Sequence, residues 1–277
     1  MRFTVLGSGS TGNAMLIHAG ETRVLVDAGL SAREIVRRIV AVGEDISRLD
    51  GIIITHEHGD HAGGLRVLLN SVTCPVYISA ETRDAYIRER RNLSSSEPQK
   101  RTEILKHRTA EIVSSKDFKI GGLDFHPFTI PHDAADNFGF TASYRNICLA
   151  TVNDLGHITT LVRERLRACA AIVIESNHDR DMLKACAVYP WELKQRILSR
   201  TGHLSNDDIA TWLQDSSDGF DAHAAHIVLT HLSSRANNPF LAKLVAEQAI
   251  TMRAPLFQAT TEVIISDPKE PTAWIEL

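Results

Sequence analysis

The sequence predicts an α/β (α+β) fold in one domain over residues 1–277, with two similar halves in which buried strands alternate with helices. Three apolar runs, at 51–54, 170–174 and 227–229, have the length and composition of buried strands. Each run leads into a polar segment that carries histidine, and functional residues usually lie on such strand-end loops. The chain is also long enough to bury a substantial core.

The N-terminal part predicts three strands joined by tight turns, at 2–6, 14–18 and 23–27. The first turn contains Gly-x-Gly-x-x-Gly, which is typical of dinucleotide binding when a helix begins inside the loop. A strand follows instead, so we reject nucleotide binding. The loop is then either a plain tight turn or an anion-binding loop. In the second interpretation, three side chains meet the substrate: Ser8, Ser10 and Asn13.

The remaining elements follow from apolar spacing and capping signals. Ser31 is expected to cap a helix at 32–42 that Gly43 ends, and Ser205 or Asn206 to cap a helix through Leu213. The segment 62–69 is predicted to be the start of one further helix. Three others are predicted to span 81–91, 161–169 and 241–251. Further strands are predicted at 75–79, 111–113, 118–120, 123–130, 137–144, 147–152 and 262–265.

A dense group of metal-binding residue types lies at 55–61, Thr-His-Glu-His-Gly-Asp-His. Alternate residues of an extended segment point the same way, so His56 and His58 can reach one point. Asp60 and His61 can reach a second point beside it. Imidazole and carboxylate ligands suit zinc, manganese or iron. The sequence therefore predicts a metal site on this loop.

The spacing His-x-His-x-Asp-His resembles the signature of the metallo-β-lactamase fold, and the flanking strand, Thr and Gly-Gly-Leu fit as well. The resemblance implies a four-layer αββα sandwich with two divalent metal ions, zinc or manganese, with iron as a further option. It also implies that Asp27 holds the ligand loop from below, and that Asp60 is both ligand and catalytic residue. The implied ligands are His56, His58 and His132 for one metal, Asp60, His61 and His231 for the other, and Asp154 as the bridge. Asn153 stands where the family commonly has Thr.

Several motifs resemble more narrowly the YycJ (WalJ) type of bacterial protein, related to ribonuclease Z, ribonuclease J and cyclic phosphodiesterases. They are Ser-Gly-Ser-x-Gly-Asn at 8–13, Pro-His-Asp-Ala-Ala-Asp at 131–136, Glu-Ser-Asn-His-Asp at 175–179, Tyr-Pro-Trp at 189–191, Gly-His-Leu-Ser-Asn at 202–206 and His-Leu-Ser at 231–233. The resemblance implies a nuclease that degrades DNA from its ends in the 5′ to 3′ direction. His203 would contact and protonate the phosphoester, Glu175 would orient His203 or His178, and Ser205 would contact substrate.

Composition narrows the class of protein. The net charge of −4 excludes a wholly basic nucleic-acid footprint, although the segment 83–108 is locally basic and is either a solvated face or a phosphate-binding rim. The four cysteines are scattered, the N-terminus has no signal peptide, and no apolar run could span a membrane. These features predict a cytoplasmic protein and leave its oligomeric state open. Two alternatives remain, a hydrolase of a small ester, thioester, lactone or cyclic phosphate and an inactive metal-binding scaffold.

Overall fold

The computed structural model describes residues 1–89, 95–215, 224–253 and 261–277, and it divides into two compact units. Unit 1 consists of Met1–Thr129, Ala134–Phe138 and Asp267–Leu277, and unit 2 consists of Ile130–Asp133 and Gly139–Ser266. Among the described residues, no helix combines the length and the apolar character needed to cross a membrane. The single-domain organisation stays a prediction.

Unit 1 contains a mixed seven-stranded sheet. Its strands are β1 (Arg2–Gly7), β2 (Ala14–Ala19), β3 (Thr22–Val26), β4 (Gly51–Ile53), β5 (Val76–Ile78), β6 (Thr109–Glu111) and β14 (Ile275–Glu276). They pair in the order β14-β1-β2-β3-β4-β5-β6. The strands from β14 to β3 pair antiparallel and those from β3 to β6 pair parallel. The adjacent β3 and β4 therefore both end at the same edge of the sheet.

The helices of unit 1 are α1 (Ala32–Ala41), α2 (Gly59–Ala62), α3 (Leu65–Leu68), α4 (Ala80–Arg88) and α5 (Glu97–Leu105), with a 3₁₀ turn at Ile46–Arg48. Ser31 caps α1 by accepting a hydrogen bond from the Glu34 amide, because a helix N-terminus leaves its first amides without partners. Ile35 and Ile39 of α1 pack with Leu25 and Ile52 of the sheet in one buried cluster.

Two further strands, β7 (Phe118–Ile120) and β8 (Leu123–Thr129), form an antiparallel hairpin.

The described residues of unit 2 form five strands, β9 (Phe138–Tyr144), β10 (Ile147–Val152), β11 (Ala171–Glu175), β12 (His226–Thr230) and β13 (Glu262–Ile265). They lie in the order β13-β12-β11-β10-β9, with β9 and β10 antiparallel and the others parallel. The helices are α6 (Thr160–Leu166), α7 (Arg180–Ala185), α8 (Trp191–Ile197), α9 (Asn206–Gln214) and α10 (Pro239–Arg253). The carboxyl ends of β10, β11 and β12 meet at one edge, where ligand sites of parallel sheets usually lie.

Most predicted elements occur within a few residues of their expected bounds. The main difference is that α2 begins inside the histidine cluster and a separate α3 follows it, whereas one helix was predicted to begin at 62–69. Gly63 and Gly64 separate the two, and the Gly64 amide bonds to the Ala28 carbonyl at 2.8 Å. β6 ends at Glu111, earlier than predicted. Arg90 and Arg91, part of the predicted basic segment, lie outside the described residues.

Candidate metal centre and active site

The ligand loop of unit 1 is held by one buried carboxylate, that of Asp27 at the end of β3. Its Oδ1 accepts hydrogen bonds from the amide and the hydroxyl of Thr55, at 2.9 and 3.0 Å. Its Oδ2 lies 2.7 Å from Nδ1 of His61. Because Asp27 is only 2% exposed and ionised carboxylates are costly to bury alone, these bonds fix both partners strongly.

The imidazoles of unit 1 are gathered on this loop. The ring centroids of His56 and His58 are 4.7 Å apart, and those of His56 and His61 are 4.2 Å apart. His56 and His61 are fully buried, while His58 is partly exposed. Asp60 presents a carboxylate oxygen 3.8 Å from Nε2 of His61. The four predicted ligands of this segment therefore form one compact group.

The glycine-rich loop packs directly against the ligand loop. The Asn13 amide donates to the Asp60 carbonyl at 2.7 Å, and the Asn13 side-chain nitrogen lies 2.9 Å from Nε2 of His61. The Ser8 hydroxyl donates to the Asn13 side-chain oxygen at 2.7 Å. A Cβ on Gly29 would stand 1.7 Å from the Asp60 carbonyl oxygen, so this close approach requires glycine. Ser8 and Asn13 are buried and only Ser10 is exposed, and a substrate contact by these three stays a prediction.

Unit 2 brings together Asp154, Glu175 and His231 from the carboxyl ends of β10, β11 and β12 with His203 from the loop before α9. The potential ligand atoms of these four residues all lie within 4.8 Å of one another. Oε1 of Glu175 lies 2.7 Å from Nδ1 of His203 and 2.7 Å from Nδ1 of His231. Its Oε2 accepts from the amide of Leu155 at 2.9 Å. The sequence expected Glu175 to orient His203 or His178, and the structure places it against His203 and also against His231.

Burial and charge shift the pKa values of Glu175 and His203 in opposite directions. Burial alone would raise the pKa of Glu175, but the charges and hydrogen bonds of His203 and His231 bring that pKa below its ordinary value. Burial alone would lower the pKa of His203, but the charge and hydrogen bond of Glu175 and the charge of Asp154 bring it above its ordinary value. Both pKa shifts therefore favour an ionised Glu175 beside a protonated His203 over a wider pH range than either group would show alone.

Asp154, rather than its neighbour Asn153, occupies the cluster. Oδ1 of Asp154 lies 2.7 Å from Nδ1 of His231, and Oδ2 lies 3.5 Å from Nε2 of His132. The side-chain oxygen of Asn153 instead accepts from the Thr230 hydroxyl at 2.5 Å. Asp154 and His231 both have positive φ, 53° and 54°, as does Asp27 at 62°. Such backbone strain in non-glycine residues clusters at functional sites.

Donor chemistry offers a test of whether a metal fits these residues. In four of the five predicted ligand histidines, Nδ1 meets a hydrogen-bond acceptor: the Thr55 hydroxyl for His56, Asp27 for His61, the Gly202 carbonyl for His132 and Glu175 for His231. Protonation at Nδ1 leaves the lone pair on Nε2, as in histidines that bind metals. In unit 2, the buried carboxylates of Asp154 and Glu175 also lie 2.7 Å from Nδ1 of His231, and a divalent cation beside them would compensate their negative charge. The residues present therefore fit divalent cations.

Two other predicted residues lie beside the cluster. Ser205 is fully buried and caps α9, where its hydroxyl accepts from the Asp208 amide and Asp208 accepts from the Ser205 amide. Its substrate contact stays a prediction. His178 is 1% exposed, and among the described residues neither of its ring nitrogens has a hydrogen-bond partner. Burial is the main reason why the pKa of His178 falls to about 4.

Sequence reasoning missed residues that act through contacts between distant segments. Thr55 joins Asp27 to His56, and the Asn177 side chain donates to the His231 carbonyl at 2.9 Å. The first of these had a signal, because Thr55 directly precedes the histidine cluster. Arg180 and Arg200, which line a cavity next to His203, had none, because surface arginines are common in any sequence.

Comparisons with known proteins agree on one family. The model of the metallo-beta-lactamase superfamily matches residues 7–151. The exodeoxyribonuclease YycJ of Bacillus anthracis is 33% identical over 273 residues, which cover 98% of this chain and 97% of that protein. The exodeoxyribonuclease WalJ of Streptococcus pneumoniae is 31% identical over 88% of this chain and 86% of its own length. The crystal structure of the metallo-beta-lactamase fold protein YhfI of Bacillus subtilis covers 98% of each chain with a TM-score of 0.66 and 13% identity.

Proposed function

Because the chain belongs to the metallo-beta-lactamase superfamily, we propose that this metal-dependent hydrolase is a phosphodiesterase that degrades DNA from its ends. The fold and the YycJ-type resemblance predicted from the sequence are confirmed by the matches over nearly the whole chain. Both curated relatives carry the name exodeoxyribonuclease, which supports a nucleic-acid substrate and favours DNA. The 5′ to 3′ direction rests on the sequence resemblance.

The proposal assigns seven ligands to two divalent ions, zinc or manganese, with iron as a further option. They are His56, His58 and His132 for one ion, Asp60, His61 and His231 for the other, and Asp154 between them. When bound, such ions activate water and neutralise phosphate oxygens. The superfamily uses divalent metals, and the histidine tautomers described above support this assignment. Asp27 would keep His61 in its ligand tautomer, because its carboxylate accepts the Nδ1 proton at 2.7 Å.

The single observation that favours phosphodiester chemistry is the Glu175–His203 pair. Nδ1 of His203 is fixed by Glu175 at 2.7 Å, so the proton on Nε2 is directed away from Glu175. A phosphodiester has a poor alkoxide leaving group, and a positioned acid that protonates this oxygen lowers the barrier. His203 would donate its Nε2 proton to the leaving oxygen and later regain a proton from water. Glu175 would act as a positioning residue, because it stabilises the imidazolium.

The test compares two substrates in one variant. His203→Ala should retain its metals and lose about 10²–10⁴-fold in turnover on DNA ends, the usual range for general acid catalysis. The loss should be smaller on bis-p-nitrophenyl phosphate, since p-nitrophenolate leaves without a proton. His226→Ala is the matched control, because His226 also pairs with a carboxylate, that of Glu262 at 3.2 Å. Equal losses on both substrates would reduce His203 to a phosphate-binding residue.

Positioning by Glu175 has its own readout. Glu175→Gln keeps the size of the side chain but removes the charge that raises the pKa of His203. The alkaline limb of the pH–rate profile on DNA should therefore move to lower pH in this variant. If neither substrate is cleaved by the metal-loaded protein while thioesters or lactones are, the phosphodiesterase proposal is wrong. A cytoplasmic location belongs to the same proposal and rests on the sequence, in which the four cysteines are scattered without a paired spacing.

A further inference from the structure

A cavity of about 380 Å³ lies in unit 2, and His203 forms one of its walls. Other walls carry His178, Arg180, Lys184, Arg200 and Asp208. The volume is at the low end of the range for small-ligand sites and has room for about one nucleotide. The cavity shares His203 with the proposed active site.

His178 is the part of the wall that the proposed chemistry leaves unexplained. Its side chain is 1% exposed, and neither ring nitrogen has a hydrogen-bond partner among the described residues. Buried polar groups are almost always hydrogen-bonded, so an exception needs a physical explanation. A ligand in the cavity supplies one, because neutral imidazole can donate one hydrogen bond and accept another.

The charges on the walls are unequally compensated. Arg180 pairs with Asp208 at 2.7 Å and donates to the Ser205 hydroxyl at 3.0 Å. Lys184 pairs with Asp181 at 3.1 Å. Arg200 contacts His157, at 3.1 Å, and has no carboxylate within ion-pair distance in the described part of the chain. One guanidinium therefore remains for an anionic ligand, and guanidinium groups bind phosphate oxygens in a bidentate manner.

We infer that this cavity binds the phosphomonoester at the end of a DNA strand, with Arg200 and His178 as its ligands, an inference that rests on the proposed nuclease function. A terminal phosphate carries nearly two negative charges at neutral pH and has three terminal oxygens, more than an internal phosphodiester offers. The cavity is large enough for a strand end with its terminal phosphate. Because His203 closes one side, an end seated here presents its first phosphodiester to the proposed acid.

The experiment compares DNA that carries a 5′-phosphate, a 3′-phosphate or hydroxyl groups only, with metal-loaded full-length protein. The wild-type protein should cleave one phosphorylated end about 10- to 100-fold more efficiently in kcat/KM than the hydroxyl end, as expected for a charge-assisted contact. The two phosphorylated substrates identify which end is bound. In Arg200→Ala this ratio should fall to near one, and in His178→Gln it should fall in part. Arg167→Ala is the matched control, because Arg167 at the end of α6 pairs with Glu164 and does not line the cavity.

A second measurement needs neither metal nor turnover. Inorganic phosphate should raise the Tm of metal-free wild-type protein and should raise that of Arg200→Ala much less, since ligands stabilise the state that binds them. Equal stabilisation of both proteins overturns the inference, as does equal cleavage of all three DNA ends. Cleavage of none of them would instead count against the nuclease proposal, so the two failures are distinguishable.

Discussion

Asp27→Asn isolates the role of one charge beneath the proposed metal site. Asparagine has the same shape and tolerates the positive φ of 62° at this position, so the backbone should remain unchanged. Its side-chain oxygen can still accept the two hydrogen bonds from Thr55. Its amide group, however, would face Nδ1 of His61, which must then become an acceptor. The proton of His61 would move to Nε2, the nitrogen assigned to the metal.

The surroundings of His61 make this change costly. Nε2 of His61 lies 2.9 Å from the side-chain nitrogen of Asn13, which is a donor. Asn13 cannot simply turn over, because its oxygen already accepts from the Ser8 hydroxyl and the Gly9 amide. The variant must accept two facing donors or lose the bond to Nδ1. Loss of a hydrogen bond to a charged group costs about 1.5–3 kcal/mol. Loss of such a supporting carboxylate typically weakens metal binding about 10–100-fold.

Calorimetric titration of chelator-treated protein with Zn²⁺ or Mn²⁺ would measure this loss. The affinity of one of the two metals should fall by that factor, and thermal unfolding of the metal-free variant should show the loss in stability. Asp50→Asn provides the matched control, because Asp50 accepts from the Arg23 amide at 2.8 Å and touches no predicted ligand. If Asp27→Asn binds both metals as tightly as the wild type, the tautomer argument is wrong.

Three further outcomes are expected. Asp154→Ala should abolish turnover and weaken both metals because the proposed bridge is lost, while Asn153→Ala should keep both metals, and elemental analysis with activity assays checks this. Elemental analysis of wild-type protein after incubation with excess metal should give two ions per chain, and each ion at 100 times its Kd should restore about 2.7 kcal/mol of stability lost to a chelator. The pKa of His178 is about 4 in the folded protein and near 6.5 in the unfolded chain. Above pH 6.5 His178 is neutral in both states, and as the pH drops from 6.5 towards 4 the free energy of unfolding should fall by about 3 kcal/mol, because the unfolded chain binds the proton more tightly. His178→Gln should flatten that part of a urea-unfolding profile, and an unchanged slope would contradict the assignment.

Many strands and helix starts of this protein can be predicted from the sequence, because apolar runs and capping residues are local features. The run 170–174 is apolar over the length of a strand, and 147–152 is apolar except for Thr151. Ser31 and Ser205 cap the helices they were expected to cap. The boundary near Gly63 was wrong for a tertiary reason. The chain breaks its helix there because Gly64 pairs with the carbonyl of Ala28, a residue from a distant turn. A propensity argument contains no information about that partner.

The candidate site likewise has local features that the sequence predicts and long-range contacts that it does not. The ligand types and their spacing are local, so the sequence predicts His56, His58, Asp60 and His61 as ligands. The family resemblance adds His132, Asp154 and His231, and the ligand roles of all seven residues stay predictions. The partners of Nδ1 could be predicted only in part, since they include the Gly202 carbonyl and the side chains of Thr55 and Glu175, each from a different segment. The cavity at Arg200 could not be predicted from the sequence, because its walls come from separate segments between residues 156 and 208 that show no periodic pattern.

Glu175 shows how one buried charge can couple two tasks. A single oxygen of this fully buried side chain lies 2.7 Å from both His203 and His231, one proposed as the acid and the other as a metal ligand. Both imidazoles are therefore fixed by the same carboxylate, whereas the Asp27 carboxylate contacts a single imidazole, that of His61, among the described residues. Each bond that Glu175 gives to one histidine reduces the charge it offers the other. Metal binding at His231 and the proton affinity of His203 should consequently depend on each other, which would let a bound metal set the protonation of the acid.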